Sequence, residues 1–331
     1  MSDLAALPPL PPVHELRGEE LLHGLNRLIP LGRQYHPLLA ALNPRTGLLA
    51  VPFGPHLLLQ PAAWRKQVAS IFLTGADIIP EFASLAPLCR ELRHGTLVDL
   101  GANVGLYTLS LRSVSNLPII AYEPQPFLFQ LLSWTVAFNH LPDVQTRNIA
   151  CGSEKGVVPF AIGANGAVLR DTLPASERGL AGVPSSAGWD AEAERLLSGG
   201  RLEVPMTTLD EDLANVARIA LLKIDCEGYE HHILQGARET LARHRPLLFL
   251  ELHGVQLKEF GRSVEQVVEL LSPIYAMEFW CFKHARHRTK LGRSLAKFRR
   301  PRQHRFASAE ETFVAANAPD PGHIYCIGRP K

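Results

Sequence analysis

The chain has 331 residues, room for one large domain or two small ones. Its 46% hydrophobic content and mean hydropathy near zero indicate a soluble globular protein, the formal net charge of +2 says little because it averages unlike regions, and no apolar run approaches the roughly 18–20 residues of a membrane span. Five cysteines without a C-x-x-C pair argue against a zinc site or a disulfide framework and fit a reducing cytoplasm.

Residues 1–13 are Pro-rich, lack the charged-then-apolar pattern of a signal peptide, and are expected to be disordered or loosely attached. Residues 14–94 read as a mixed extension or cap. Within it, Gly47–Phe53 and His56–Gln60 can form a hairpin around Gly54-Pro55, and Ala62–Leu73 and Pro80–Leu92 read as helices. From residue 95 to 331 strands and helices alternate, the pattern of a parallel sheet covered on both faces. Strands are expected at Leu97–Leu100, Pro118–Tyr122, Val144–Ala150, Leu202–Thr207, Ala220–Ile224 and Leu247–Leu252. Helices are expected at Pro126–Asn139, Thr208–Leu213, Glu230–His244 and Val264–Ile274. Residues 163–203 interrupt the alternation; rich in Gly, Ala and Ser, they read as a flexible insertion, a lid or a binding loop. Ala276–Phe282 and His323–Gly328 can pair antiparallel at a sheet edge.

The most informative stretch is TLVDLGANVGLYTLSL, residues 96–111. It reads as a short strand, a tight glycine turn from Gly101 to Gly105, and the start of a helix. Glycine permits sharp bends and close approach of a ligand, and the helix N-terminus offers unpaired N–H groups. This is the nucleotide-binding corner of a doubly wound α/β sheet. The next strand ends in Glu123, a carboxylate roughly 20 residues past the glycines, placed to bind the hydroxyls of a ribose. Neither the G-x-G-x-x-G fingerprint nor the phosphate-loop pattern is present. Asp99 before the turn would repel a pyrophosphate but suits a cationic, amino-acid-bearing ligand. Asp99 and Glu123 therefore point to S-adenosylmethionine (SAM), with Gly101, Asn103 and Gly105 shaping its loop.

Ligands in open α/β sheets bind beyond the carboxyl ends of the strands. The Ala220–Ile224 strand is followed by Asp225-Cys226-Glu227-Gly228-Tyr229-Glu230, and the next strand leads to Glu251 and His253. If these strands flank the first, their polar groups face the reacting end of the cofactor. Methyl transfer to a hydroxyl needs in-line alignment and removal of one proton. Asp225, His253 and Glu251 are the candidate catalytic residues. His231 and His232 read as surface or capping residues, and the lone Cys226 as inert. The set Asp225, Glu227, Glu230, Glu251 and His253 could also suit Mg²⁺ or Mn²⁺, but Glu227 and Glu230 can equally cap a helix. No ligand spacing is diagnostic, so no metal is expected.

These residues resemble a known family. VDLGANVGLYTLSL, AYEPQPFLFQLL, AFNHL, VPMTTLDEDL, LLKIDCEGYEHHILQGARETL and PLLFLELHG look like the FkbM-type SAM-dependent methyltransferases, over residues 96–254. The paired motifs D-x-G-A-N-x-G and K-x-D-x-E-G-x-E carry the likeness. The resemblance implies a class I methyltransferase (Rossmann-like) fold, a seven-stranded sheet with an antiparallel last strand. It further implies O-methylation of a hydroxyl on a small molecule or a glycan- or lipid-linked acceptor. By motif, Asp99, Gly101, Asn103 and Glu123 would hold the cofactor, while the roles of Asp225, Glu227 and Glu230 in the second signature stay open. The insertion and a basic segment depart from the family pattern.

That basic segment, Lys283–Arg305, holds ten Lys or Arg and three His. Such a run can meet phosphates on nucleic acid, glycans or lipids, or can simply be a solvated loop. A nucleic-acid (RNA) methyltransferase is thus one rival reading, and a catalytically inactive binding module on the same fold is another. The rivals are disfavoured because no N-P-P-[YF] signature appears, aromatics near the segment are too few for a stacking platform, and Asp99, the turn glycines and Glu123 occur together. Oligomeric state is left open.

Overall fold

The computed structural model describes residues 10, 13–15, 47–61, 64, 67–68, 71, 75–162, 200–283, 302–318 and 323–331. Its strands are β1 (Val13–Glu15), β2 (Leu48–Phe53), β3 (His56–Pro61), β4 (Thr96–Leu100), β5 (Ile119–Tyr122), β6 (Val144–Arg147) and β7 (Ala150–Cys151). They continue as β8 (Gly156–Ile162), β9 (Gly200–Thr207), β10 (Ile219–Ile224), β11 (Leu247–Glu251), β12 (Tyr275–Lys283), β13 (Arg302–Arg305) and β14 (His323–Pro330).

An eight-stranded sheet runs in the order β13-β12-β14-β11-β10-β4-β5-β6. Strands β6, β5, β4, β10 and β11 pair in parallel. Every residue of β10 is buried, as expected of a parallel strand covered on both faces. β14 enters between β11 and β12 and is antiparallel to both. Counting from β6 to β12, this is the class I methyltransferase sheet with its one reversed strand. An eighth strand, β13, is added at the edge against β12. The expected antiparallel pair therefore lies inside the sheet, and the end of the basic segment forms the edge beyond it. Exposed edge strands are commonly charged, which discourages pairing with other chains.

Three expectations need correction. The third strand stops at Arg147, and Ala150–Cys151 belongs to a separate sheet, β7-β9-β8, whose Val158, Phe160, Leu202 and Val204 turn into the core. The expected helix 230–244 is two helices, Glu230–Gln235 and Arg238–His244. The break falls at Gly236, where a Cβ would come within 2.0 Å of the Gly152 carbonyl oxygen, so the two segments can meet only without a side chain there. The extended pattern expected from Leu202 starts at Gly200; residues 163–199 of the insertion and 284–301 of the basic segment lie outside the described residues.

The expected hairpin forms as β2 and β3. It packs on the helix Pro126–Phe138, which is apolar nearly all round and correspondingly buried. Asn139, at the end of that helix, accepts from Leu57 N–H at 2.8 Å and donates to the Leu57 carbonyl. Thr135 Oγ1 accepts from Leu59 N–H at 3.2 Å. The hairpin thus shares one apolar core with the main sheet. Among the described residues no helix is long and apolar enough to cross a membrane.

Candidate active site

At the end of β4 the chain turns through Gly101 (φ +73°), Asn103 (φ +52°) and Gly105 (φ +103°) into the helix Leu106–Val114. A Cβ at Gly101 would lie 1.9 Å from the Asp225 carbonyl oxygen, so both the φ and the close approach require glycine. The loop is tied to β5 through Gly101 N–H and Ala102 N–H, both donating to the Tyr122 carbonyl.

Asp99 faces Lys223 across the β4–β10 ladder. Both side chains are buried, and the ion pair is 3.0 Å. Thr108 Oγ1 donates to the other Asp99 oxygen at 2.7 Å. Lys223 Nζ also donates to the carbonyls of Leu100 and Gly101, each at 3.1 Å, and lies 4.6 Å from the Tyr107 ring centroid. Burial pushes the Lys223 ammonium down, but Asp99 and Asp225 outweigh it and hold it above its usual range. Asp99 therefore does not reach the cavity wall; it anchors the lysine that pins the glycine loop. Gly105 also stands behind the wall, against Leu132.

Glu123 is buried yet lines the cavity. Its two oxygens accept from Asn103 N–H and Gln125 N–H, each at 2.9 Å. Burial raises its carboxyl to about 7, against the opposing pull of those N–H groups and of Lys223.

The cavity, about 590 Å³, opens beyond the carboxyl ends of β4, β5, β10 and β11. Gly101–Asn103 and Glu123 form one wall, and Asp225, Glu227, Glu251 and His253 the other. Ile78–Glu81 from the N-terminal extension and Phe282, His323 and Tyr325 from the far strands complete it. This size lies within the range of small-molecule sites.

Asp225 and Glu227 follow β10, with Glu227 in the left-handed region at φ +49°. Such strained backbone persists only where its surroundings over-determine it. His253 follows β11. Its Nδ1 is 2.7 Å from Glu230 Oε1, and Glu230 is fully buried and also accepts from Gly228 N–H. Its Nε2 looks toward Glu227 and Glu251, both at 3.6 Å, and Asp225 at 3.8 Å. Burial alone would lower the imidazole's pKa, but Glu230, Glu251 and Asp225 raise it well above the ordinary value. Glu251 accepts from Tyr325 O–H and pairs with His323 Nδ1, each at 2.8 Å. Burial pushes Glu251 up, yet those bonds and the charges of His253 and His323 bring it below the usual carboxylate range. Asp225 is raised by burial and by Glu251.

The three sequence-predicted catalytic residues thus converge on one wall. His231 and His232, expected as surface or capping groups, are packed instead: His231 is buried, and His232 stacks on Tyr229 at 4.6 Å between centroids. Burial and the Arg262 charge lower His231 to about 4. Sequence reasoning gave no role to Lys223, the first residue of the K-x-D-x-E-G-x-E motif, and missed His323, Tyr325 and the pair Glu81–Tyr107, in which the Tyr107 hydroxyl donates to Glu81 at 2.7 Å. Lys223 did leave a signal, one charge in an otherwise apolar strand, IALLKI. The others leave none, because separate segments bring them together.

Comparison with known proteins bears on this arrangement. Two curated relatives are similar over part of their length. One is "Methyltransferase sdnD" of Sordaria araneosa, 28% identical over 156 residues, covering 43% of this chain and 60% of the relative. The other is "Methyltransferase 1" of Beauveria bassiana (strain ARSEF 2860), 25% identical over 145 residues, covering 42% and 57%. The matches thus span about three fifths of those relatives. Among solved structures, a methyltransferase FkbM from Methylobacillus flagellatus KT is similar at 15% identity and TM-score 0.39, covering 72% of this chain and 45% of that one. M. jannaschii TYW2 in complex with AdoMet is similar at 12% identity and TM-score 0.37, covering 87% and 88%. The family model "Methyltransferase FkbM domain" matches residues 99–288, more than half of the chain, and takes in the cavity-lining residues from Gly101 to Phe282. The chain belongs to the FkbM methyltransferase domain family.

Proposed function

We propose that the protein transfers a methyl group from SAM to a hydroxyl of a small molecule or of a glycan- or lipid-linked acceptor. One observation carries this reading: a single cavity is bounded by the Gly101–Asn103 loop with Glu123 on one side and by Asp225, Glu251 and His253 on the other. The donor set fits the cofactor. Each Glu123 oxygen has one N–H partner and retains a lone pair for a ribose hydroxyl. Asp99 contributes indirectly, through Lys223 and the loop carbonyls, and Gly105 sets the entry of the following helix.

When bound, SAM would supply an electrophilic methyl carbon whose sulfur is the leaving group. The chain's task is to orient the acceptor and accept its proton. We assign the proton to Asp225, which lines the cavity and whose backbone carbonyl abuts the glycine loop at Gly101. Glu251 and His253 hold their places around it through His323, Tyr325 and Glu230. The acceptor would enter between these groups and the segment Ile78–Glu81.

The test is calorimetric titration of the full chain with SAM, followed by assay of labelled-methyl transfer to a panel of hydroxylated acceptors. Binding and transfer to an acceptor oxygen are expected. Absence of SAM binding by the folded chain would refute the cofactor assignment, and transfer to nitrogen or to RNA alone would refute the acceptor class.

A further inference from the structure

We propose that Asp225, Glu251 and His253 form a site for a hard divalent cation, Mg²⁺ or Mn²⁺. One ligand atom from each residue lies within 4.8 Å of the other two. Two donors held at about 2.1 Å from an ion stand about 3.0 Å apart at a right angle and about 4.2 Å apart across it. The observed separations from His253 Nε2, 3.6 Å to Glu251 and 3.8 Å to Asp225, fall between those values. The Asp225–Glu251 separation is bounded at 4.8 Å, so the carboxylates would draw together on an ion, with the Glu251 oxygen shared between it and His323.

A second, independent observation is the imidazole itself. The His253 side chain is only 10% exposed. Its Nδ1 is fixed by the buried Glu230, the carboxylate–imidazole arrangement that orients a metal-ligating histidine. Its Nε2 is directed into the cavity with no hydrogen bond among the described residues, the nearest carboxylate oxygens being too distant for one. Three carboxylates, Asp225, Glu227 and Glu251, face this one nitrogen. Lys223 stands 3.7 Å from Asp225 but is already paired with Asp99 and two loop carbonyls. A divalent ion would take the place of the Nε2 proton in answering this convergence of negative charge. Two carboxylates with one imidazole favour Mg²⁺ or Mn²⁺ over thiolate-seeking metals.

The ion's role, though not its binding, rests on the methyl-transfer reading. An acceptor hydroxyl coordinated there would have its pKa lowered, and its proton would pass to the Asp225 oxygen not bound to the ion.

The experiment is titration of the chelator-treated full chain with Mn²⁺, followed by electron paramagnetic resonance, with SAM calorimetry on the same preparation. One Mn²⁺ per chain is expected, with a pulsed-resonance coupling to a ligating ¹⁴N. The coupling should vanish in His253→Gln, and Glu230→Gln should loosen the ion about 10–100-fold. No uptake by the wild-type chain at millimolar Mn²⁺, uptake without nitrogen coupling, or a coupling that persists in His253→Gln overturns the site. The wild-type spectrum decides even where a variant does not fold. SAM binding without Mn²⁺ uptake would defeat the metal site alone, and Mn²⁺ uptake without SAM binding would defeat the cofactor reading alone.

Discussion

Replacing Lys223 by methionine should destabilise the protein by about 4 kcal/mol. The substitution keeps the apolar stem and removes the ammonium. Asp99 would then be a fully buried carboxylate with only Thr108 to satisfy it, and breaking a buried pair in this way costs about 3–5 kcal/mol. The Gly101 carbonyl also loses its lysine donor, whereas Leu100 keeps a bond from Asp225 N–H. A lost bond of that kind costs about 1 kcal/mol and overlaps the first term. With an m value near ~3 kcal/mol/M, the urea midpoint should fall by about 1.3 M. Tryptophan fluorescence can follow unfolding. Asp99→Asn alone should cost about 2–3 kcal/mol, since the amide still accepts from Thr108. The double variant Lys223→Met/Asp99→Asn should lose about 2 kcal/mol less than the sum of the two, because neither charge is then stranded. A single-variant loss under about 1 kcal/mol, or strict additivity in the double, would refute the assignment of this pair as the pin of the glycine loop.

Three further outcomes are expected. Glu123→Ala should weaken SAM binding by roughly 1.5–3 kcal/mol, read by calorimetry on folded protein; unchanged affinity would remove Glu123 from the cofactor site. Gly101→Ala should cost at least about 2 kcal/mol in urea unfolding, because its φ is strained and its Cβ collides with the Asp225 carbonyl; a near-neutral effect would mean the loop moves freely. Glu123 titrates near 7 in the folded chain against a usual 4.5, so the folded state binds the extra proton between those values. Stability should therefore decline as pH rises from 4.5 to 7, and Glu123→Gln should flatten that part of the stability–pH profile. An identical slope in both proteins would contradict it.

Much of the candidate site's geometry was legible because its information is local in the chain. The strand, glycine turn and helix of residues 96–111 lie in one stretch, and Glu123 ends the next strand. Asp225, Glu251 and His253 could be collected by the strand-end rule, and parallel pairing of β10 with β4 and β11 brings them together. Asp99 could be placed at a strand end but not given a direction; its orientation is decided by the cross-strand lysine. Strand β13 was hidden because its RQHR sequence has no apolar period, and its pairing comes from β12 alone. The break at Gly236 depends on contact with Gly152, 84 positions away in the chain, and no helix propensity reports such a contact. The convergence of His253 Nε2 with two carboxylates is likewise a property of space and not of spacing.

The insertion of β14 between β11 and β12 has a consequence for how the molecule is built. β14 supplies His323 and Tyr325 to Glu251, and its partners β11 and β12 were made forty or more residues earlier. As the chain emerges during synthesis, β4, β5, β6, β10 and β11 can assemble from neighbours already present. β11 must wait with one edge bare, and Glu251 stays without two of its partners until residues 323–330 arrive. Loop closure over that distance is entropically costly and slow. A chain arrested before β14 should therefore hold the glycine corner in place while lacking an organised acidic wall, so that the side of the cavity where we place the cofactor matures before the side where we place the reaction.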